Sequence, residues 1–161
     1  MAARFFGRYE HSLDVKGRVI LPARFRASFG PSAYLSQYQD RCLALWPPDE
    51  FERQMADMEV LQEQGRDERN LARIWASGSA EVEIDRQGRV GVPAYLREFA
   101  RLEGQVLVNG AIDRVELWNP AEYDSKVAPA EAALTDPELL DVAPAPASPS
   151  GGAPPSDVLE G

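Results

Sequence analysis

One pattern occurs twice in this chain, and that duplication restricts its fold more than any other feature. Leu13-Asp14-Val15-Lys16-Gly17-Arg18-Val19-Ile20-Leu21-Pro22-Ala23-Arg24-Phe25-Arg26 lies over Ile84-Asp85-Arg86-Gln87-Gly88-Arg89-Val90-Gly91-Val92-Pro93-Ala94-Tyr95-Leu96-Arg97 at an offset of 71 residues. Asp, Gly, Arg, Val, Pro, Ala and the last Arg coincide. Further on, Leu45-Trp46-Pro47-Pro48-Asp49-Glu50-Phe51 lies over Leu117-Trp118-Asn119-Pro120-Ala121-Glu122-Tyr123 at an offset of 72. Two matching blocks in the same order mark a tandem duplication, with one residue of loop changed between them.

Each copy carries the same grammar. Ala80, Val82 and Ile84 alternate with Glu81 and Glu83, the period of a half-buried strand. Asp85 to Gly88 reads as a turn whose glycine supplies a positive φ. Arg89 to Val92 reads as a second strand, and Pro93 opens a short helix with Tyr95, Leu96 and Phe99 on its apolar side. Strands follow at 105–109 and 115–118, and a closing helix starts at Pro120 with Tyr123 and Val127 on one side. The first copy predicts strands at 9–13, 18–21, 34–38 and 42–46, with helices from Pro22 and Pro48. Its closing helix is longer, with Phe51, Met55, Met58 and Leu61 in one stripe. Gly65 interrupts the run, Leu71, Ile74 and Trp75 continue it, and Gly78 ends it. The expected organisation is a first unit at 4–64, a helical connector at 65–78, a second unit at 79–127 and a tail at 128–161. A unit this small buries little surface alone, so the two are expected to close on each other in a barrel-like core. Leftover apolar helix faces point to a homo-oligomer.

Charge separates these parts. The 161 residues carry a net charge of −9, which by itself argues against nucleic acid. Residues 128–161, however, hold six acidic groups and no base, so the rest carries about −3. Eight more acidic groups fall within 49–68. The bases concentrate in two places: Arg4, Arg8, Lys16, Arg18, Arg24 and Arg26 at the start, and Arg86, Arg89, Arg97 and Arg101 in the second copy. Local potential within a Debye length of ~8–10 Å governs phosphate contact more than the total does. The tail has seven prolines and no aromatic residue, too little apolar surface to offset its ordering entropy, and is expected to be disordered. Asp157-Val158-Leu159-Glu160 is the one stretch of it with docking character.

The repeated Asp-x-x-Gly-Arg admits three readings. Asp14, Gly17, Asp85 and Gly88 suit tight turns in which Asp accepts turn N–H groups. A buried Asp–Arg pair would give Arg18 and Arg89 a structural role, although strand formation does not require arginine. Alternatively, two hairpins present guanidinium groups on one face, where the planar fork suits phosphate and the guanine edge. Lys16 and Arg86 on the same turns would add phosphate attraction. Arg24, Arg26, Arg97 and Arg101 on the short helices either extend that footprint or are solvated.

Other chemistries find less support. A single cysteine and a single histidine exclude a disulfide framework and a multi-cysteine zinc site, so no metal and no cofactor is expected. No Gly-rich phosphate loop and no nucleophile elbow occur. His11 with Asp14, or Glu81 with Glu83, could pair as acid and base, but the two glutamates share a strand face expected to be wet. No catalytic residue and no small-molecule substrate is therefore assigned. Cys42, between apolar neighbours, reads as core. No apolar run reaches the ~18 residues of a membrane helix, and the start lacks a signal-peptide core. The chain is expected to be soluble and cytoplasmic.

His11-Ser12-Leu13-Asp14-Val15-Lys16-Gly17-Arg18-Val19-Ile20-Leu21-Pro22, with Asp85-Arg86-Gln87-Gly88-Arg89-Val90, resembles the paired signature of the MraZ family over residues 4–127. The resemblance implies an α+β fold: tandem swapped-hairpin units of the AbrB/SpoVT type, forming a double-psi-like barrel core with short peripheral helices. It implies a bacterial transcriptional regulator, nucleoid-associated, that binds double-stranded DNA at its own promoter upstream of the division and cell-wall genes. It also implies ring-shaped homo-oligomers on short direct repeats. Asp14, Arg18, Asp85 and Arg89 are the motif residues, with Lys16 as a further DNA contact. Gly91 in place of Ile20, and Gln87 in place of Lys16, imply unequal contributions from the two copies. The rival expectation is an antitoxin-like or interaction module whose tail docks a protein partner.

Overall fold

Each Asp-x-x-Gly-Arg segment closes a turn, and the strands leaving it separate at once. The structure, a computed structural model, describes residues 2–138, so the tail beyond 138 lies outside the described residues, its Asp157–Glu160 stretch included. The Asp14 N–H donates to the Arg18 carbonyl at 2.9 Å and the Asp85 N–H to that of Arg89 at 3.1 Å. Past those bonds there is no continuous hairpin ladder. β1 (Arg8–Ser12) pairs antiparallel with β7 (Gln105–Gly110), Tyr9 opposite Val108. β2 (Arg18–Ile20) pairs with β6 (Arg89–Gly91), Val19 opposite Val90. The local pattern reads a hairpin in each copy, while the family resemblance implies swapped hairpins; the structure gives each arm to the other copy.

The exchange is reciprocal. β5 (Ala80–Glu83), the counterpart of β1, pairs with β3 (Ser32–Gln37), the counterpart of β7. β4 (Leu43–Trp46) and β8 (Val115–Trp118) pair with each other at the centre. The six-stranded sheet therefore runs β1-β7-β8-β4-β3-β5, with the β2·β6 ribbon apart. Exchanging each strand for its counterpart reverses that order and changes nothing else, so the two copies are related by a pseudo-two-fold axis between β4 and β8. With all pairings antiparallel and the helices outside the sheet, the fold is α+β.

Strand alternation divides the interior. Leu35, Leu43, Leu45, Val106, Val108, Val115 and Leu117 face one core together with Val19 and Val90 from the ribbon. Ala44, Trp46, Leu107 and Trp118 are also buried, on the opposite face, and each copy covers that face with its own closing helix. Over the first copy lie α2 (Pro48–Gln62) and α3 (Arg66–Gly78), where Ala44, Trp46, Phe51 and Trp75 cluster. Over the second lies α5 (Pro120–Lys126), where Tyr123 meets Trp118, Leu107 and Cys42. Trp46 is completely buried, and its indole N–H donates to Ser36 Oγ at 2.9 Å, so the polar atom it carries inside is satisfied. Burial pushes the Cys42 thiol well above its ordinary range, as suits a core residue.

Two details depart from the pattern read in the sequence. Pro22 and Pro93 are caps with extended backbone, and α1 (Ala23–Arg26) and α4 (Ala94–Ala100) begin one residue later. On α3 the buried face is Ala72 and Trp75, while Leu71 and Ile74 are more than half exposed. Each lies one position, or ~100°, around the helix from the buried pair, so they do not continue the Phe51 stripe. Residues up to Pro129 pack as one unit, and those from Ala130 form another, whose described part includes the helical turn α6 (Ala132–Thr135).

Candidate nucleic-acid interface

The duplicated motif folds into the same turn twice. Asp14 Oδ1 accepts from the N–H groups of Lys16 and Arg18, both at 2.9 Å, and its Oδ2 accepts from Arg18 Nε at 2.7 Å. Asp85 Oδ1 accepts from Gln87 and Arg89 N–H, both at 2.9 Å, and its Oδ2 from Arg89 Nε at 2.6 Å. Gly17 and Gly88 sit at φ +74° and +79°, the left-handed conformation that a side chain resists. The motif arginine is thus part of the turn, which strand formation alone gave no reason to expect. The pair is not buried: side-chain exposures are 29% and 34% for Arg18 and Asp14, and 32% and 37% for Arg89 and Asp85. So exposed a pair adds little to stability, because water screens it. Its structural effect is to orient the guanidinium through Nε. Among the described residues, neither terminal nitrogen of either arginine has a hydrogen-bond partner.

The backbone N–H groups and the arginine lower the pKa of both aspartates. The Arg18 N–H is the main influence on Asp14, and the Arg89 N–H on Asp85, each opposed by partial desolvation. A carboxylate with a depressed folded pKa stabilises its turn above the unfolded value and loses that contribution as pH falls through the folded one. The turns are therefore expected to stay locked at neutral pH and down to the ordinary aspartate value of 3.8, opening only below it. Carboxyl-carbon NMR titration of Asp14 and Asp85 reads this directly. Midpoints at or above 3.8 would contradict the lock.

The ribbon sets the turns side by side. Arg18 faces Gly91, Val19 faces Val90 and Ile20 faces Arg89. Val19 and Val90 point into the core, so Arg18, Ile20, Arg89 and Gly91 share the outer face. By strand geometry the α-carbons of Arg18 and Arg89 are ~8 Å apart, on the diagonal of the ribbon. Lys16 and Arg86 are exposed at the two turn tips. The surroundings differ: Ile20, 42% exposed, stands beside Arg89, whereas nothing lies within 4 Å of where a Gly91 side chain would begin, beside Arg18.

The helix arginines divide. Arg24 is exposed, its guanidinium 4.8 Å above the Phe6 ring. Arg101 turns away and pairs with Glu122 at 3.0 Å. Arg26 and Arg97 lie against the turns, each against the turn of the other copy. A Cβ on Gly17 would meet Arg97 Cζ, Nη1 and Nε at 2.7, 2.8 and 2.9 Å, and one on Gly88 would overlap the Arg26 guanidinium. This arrangement was not read from the sequence, although the coincidence of Arg26 and Arg97 at the repeat offset was its available signal. Asp14 against Lys16, Arg18 and Arg97 leaves the first turn at +2, and Asp85 against Arg86, Arg89 and Arg26 leaves the second the same. An acidic chain thus carries two locally basic turns on one ribbon. His11 lies half-buried in β1, and Glu81 and Glu83 share the exposed face of β5. Among the described residues no group of three His, Cys, Asp or Glu side chains could hold a metal ion, and no helix is long and apolar enough to cross a membrane.

Known proteins share this chain's pattern from end to end of the duplication. A family model described as "MraZ protein, putative antitoxin-like" matches residues 5–74 and again 76–139. A protein of Heliobacterium modesticaldum named transcriptional regulator MraZ is 40% identical over 140 residues, covering 85% of this chain and 97% of its own length. Proteins of the same name from Acetivibrio thermocellus and Nocardioides sp. are 40% and 37% identical, covering 75% and 88% of this chain and 85% and 96% of their own lengths. With both repeats matched and relatives aligned over nearly their full length, the chain belongs to the MraZ family.

Proposed function

We propose that the protein is a transcriptional regulator that binds double-stranded DNA through the two turns of the β2·β6 ribbon. The observation that carries this reading is the pair of basic turns on one outer face, each with a motif arginine held by Nε and its terminal nitrogens without a hydrogen-bond partner among the described residues. The name transcriptional regulator borne by the relatives agrees with it. Arg18 and Arg89 carry the base or phosphate contacts, Lys16 and Arg86 add phosphate contacts at the tips, and Arg24, Arg26 and Arg97 border the footprint. Asp14, Gly17, Asp85 and Gly88 hold the turns.

The exchanged pairings β1·β7 and β3·β5 support a swapped-hairpin, double-psi-like core of the AbrB type. One subunit offers few cations, so several copies in a ring, each gripping a short direct repeat, would raise the effective concentration of every contact. Exposed Leu71 and Ile74 on α3 leave apolar surface for such assembly. The DNA would be the protein's own promoter, upstream of division and cell-wall genes, as the family resemblance implies, which makes the protein a cytoplasmic, nucleoid-associated regulator. Titrating the full chain with duplex DNA from the region upstream of its gene, at two salt concentrations, tests this. Saturable binding with a salt slope near −0.9 per neutralised phosphate is expected. An assembly that ignores that duplex even in dilute buffer overturns the reading.

A further inference from the structure

The two turns are composite. Each takes its backbone and its motif Asp–Arg pair from one copy and a third guanidinium from the other. Arg97 lies over Gly17, with three of its guanidinium atoms at nearly equal distance from where a Cβ would stand, so the plane is laid flat on the glycine. Arg26 lies closer still over Gly88, with its Nε rather than its Cζ nearest to where a Cβ would stand. Backbone bonds follow the same crossing: the Leu21 N–H donates to the Gly88 carbonyl at 2.8 Å and the Val92 N–H to the Gly17 carbonyl at 3.0 Å. Arg26 is anchored by its Nε donating to the Leu21 carbonyl at 2.9 Å, whereas Arg97 Nε is buried without a partner. Among the described residues neither arginine forms an ion pair. Gly17 and Gly88 are therefore constrained twice, by a left-handed backbone and by an arginine that leaves no room for a methyl group.

We infer that Arg97 and Arg26 are crossed positioning residues: each fixes, and charges, the DNA-contacting turn of the opposite copy. A planar cation packed on a turn restricts its tilt, and that tilt sets where Lys16 and Arg18, or Arg86 and Arg89, meet a phosphate. The charge stays unneutralised because no carboxylate of the described chain answers it. A change in one copy's helix then moves the other copy's turn and leaves its own in place.

This rests on the proposed DNA-binding reading, and two measurements on the full-length protein separate them. The first is amide hydrogen exchange without DNA. Arg97→Ala is expected to speed exchange at Lys16 and Arg18 about tenfold while Gln87 and Arg89 keep their wild-type rates, and Arg26→Ala to do the reverse. Equal acceleration in both turns, or acceleration only in the turn of the same copy, overturns the inference. The second is affinity for the upstream duplex. Arg97→Ala is expected to weaken binding about tenfold alone, but to add less than about threefold on top of Arg18→Ala, while its effect and that of Arg89→Ala multiply. Arg97→Lys keeps the charge without the flat face and recovers only part of the loss; full recovery would show that charge alone matters and overturn the positioning role. If wild-type protein fails to bind the duplex, the functional reading falls while the exchange pattern still decides the crossed contacts.

Discussion

Arg18→Ala is expected to lower affinity for the upstream duplex at least a hundredfold while assembly size and thermal stability stay close to wild type. The stability side follows from exposure: a solvent-screened pair at a turn adds little, and the turn keeps its two backbone N–H bonds to Asp14 Oδ1. The binding side is larger than one contact suggests. Removing the guanidinium takes the first turn from +2 to +1 and leaves the Asp14 carboxylate without its cation, facing a phosphate. A good bidentate contact is worth ~1–3 kcal/mol, and in the ring proposed above the loss would repeat in every subunit that touches DNA. Arg89→Ala is expected to cost less. Ile20 stands beside Arg89, whereas Gly91 leaves the space beside Arg18 open to an approaching backbone. Electrophoretic mobility shift for binding and light scattering for assembly check both halves. Wild-type affinity in Arg18→Ala would remove this residue from the interface, and a dissociated assembly would assign it to the architecture instead.

What the sequence makes legible here is what is local. Asp and Gly three residues apart define a turn through a side-chain acceptor and a positive φ, and nothing distant competes with that choice. The strands and the starts of the proline-led helices were readable for the same reason, to within two residues. The partners of β1 and β5 were not, because a strand's alternation says which face is buried and nothing about which of two near-identical copies supplies the ladder. Tyr9 opposite Val108 and Tyr34 opposite Glu81 satisfy the alternation no better than pairings inside one copy would. The burial of Ala72 in preference to Leu71 was hidden too, because the larger side chain is the stronger apolar signal and only the placement of Trp75 over Phe51 decides which side faces in, with their rings stacked at 5.2 Å. Arg26 and Arg97 show the limit most clearly. Their alignment is visible in the chain, but their role exists only once the other copy's glycine lies underneath.

That crossing has a consequence for autonomy. Separately produced fragments 1–78 and 79–161 are each expected to lack a folded monomer, and an equimolar mixture to recover the native fold. Cutting after Gly78 leaves α3 whole and breaks no strand. It nevertheless separates β1 from β7, β2 from β6, β3 from β5 and β4 from β8. The first fragment keeps only the β3·β4 pairing and its α2–α3 cover, and the second only β7·β8 and α5. Val19 and Val90, almost fully buried together in the intact chain, would both face water, and so would much of the core on the sheet's shared face. Two-stranded remnants are marginal in water, and the loss is of the order of the whole ~5–15 kcal/mol that holds a domain this size. Far-ultraviolet circular dichroism and urea titration of each fragment, then of the mixture, provide the measurement. A cooperative unfolding transition in either fragment alone, as a monomer, would mean that a single copy folds without the exchange, and the reciprocal pairing would then be a consequence of duplication rather than its structural requirement.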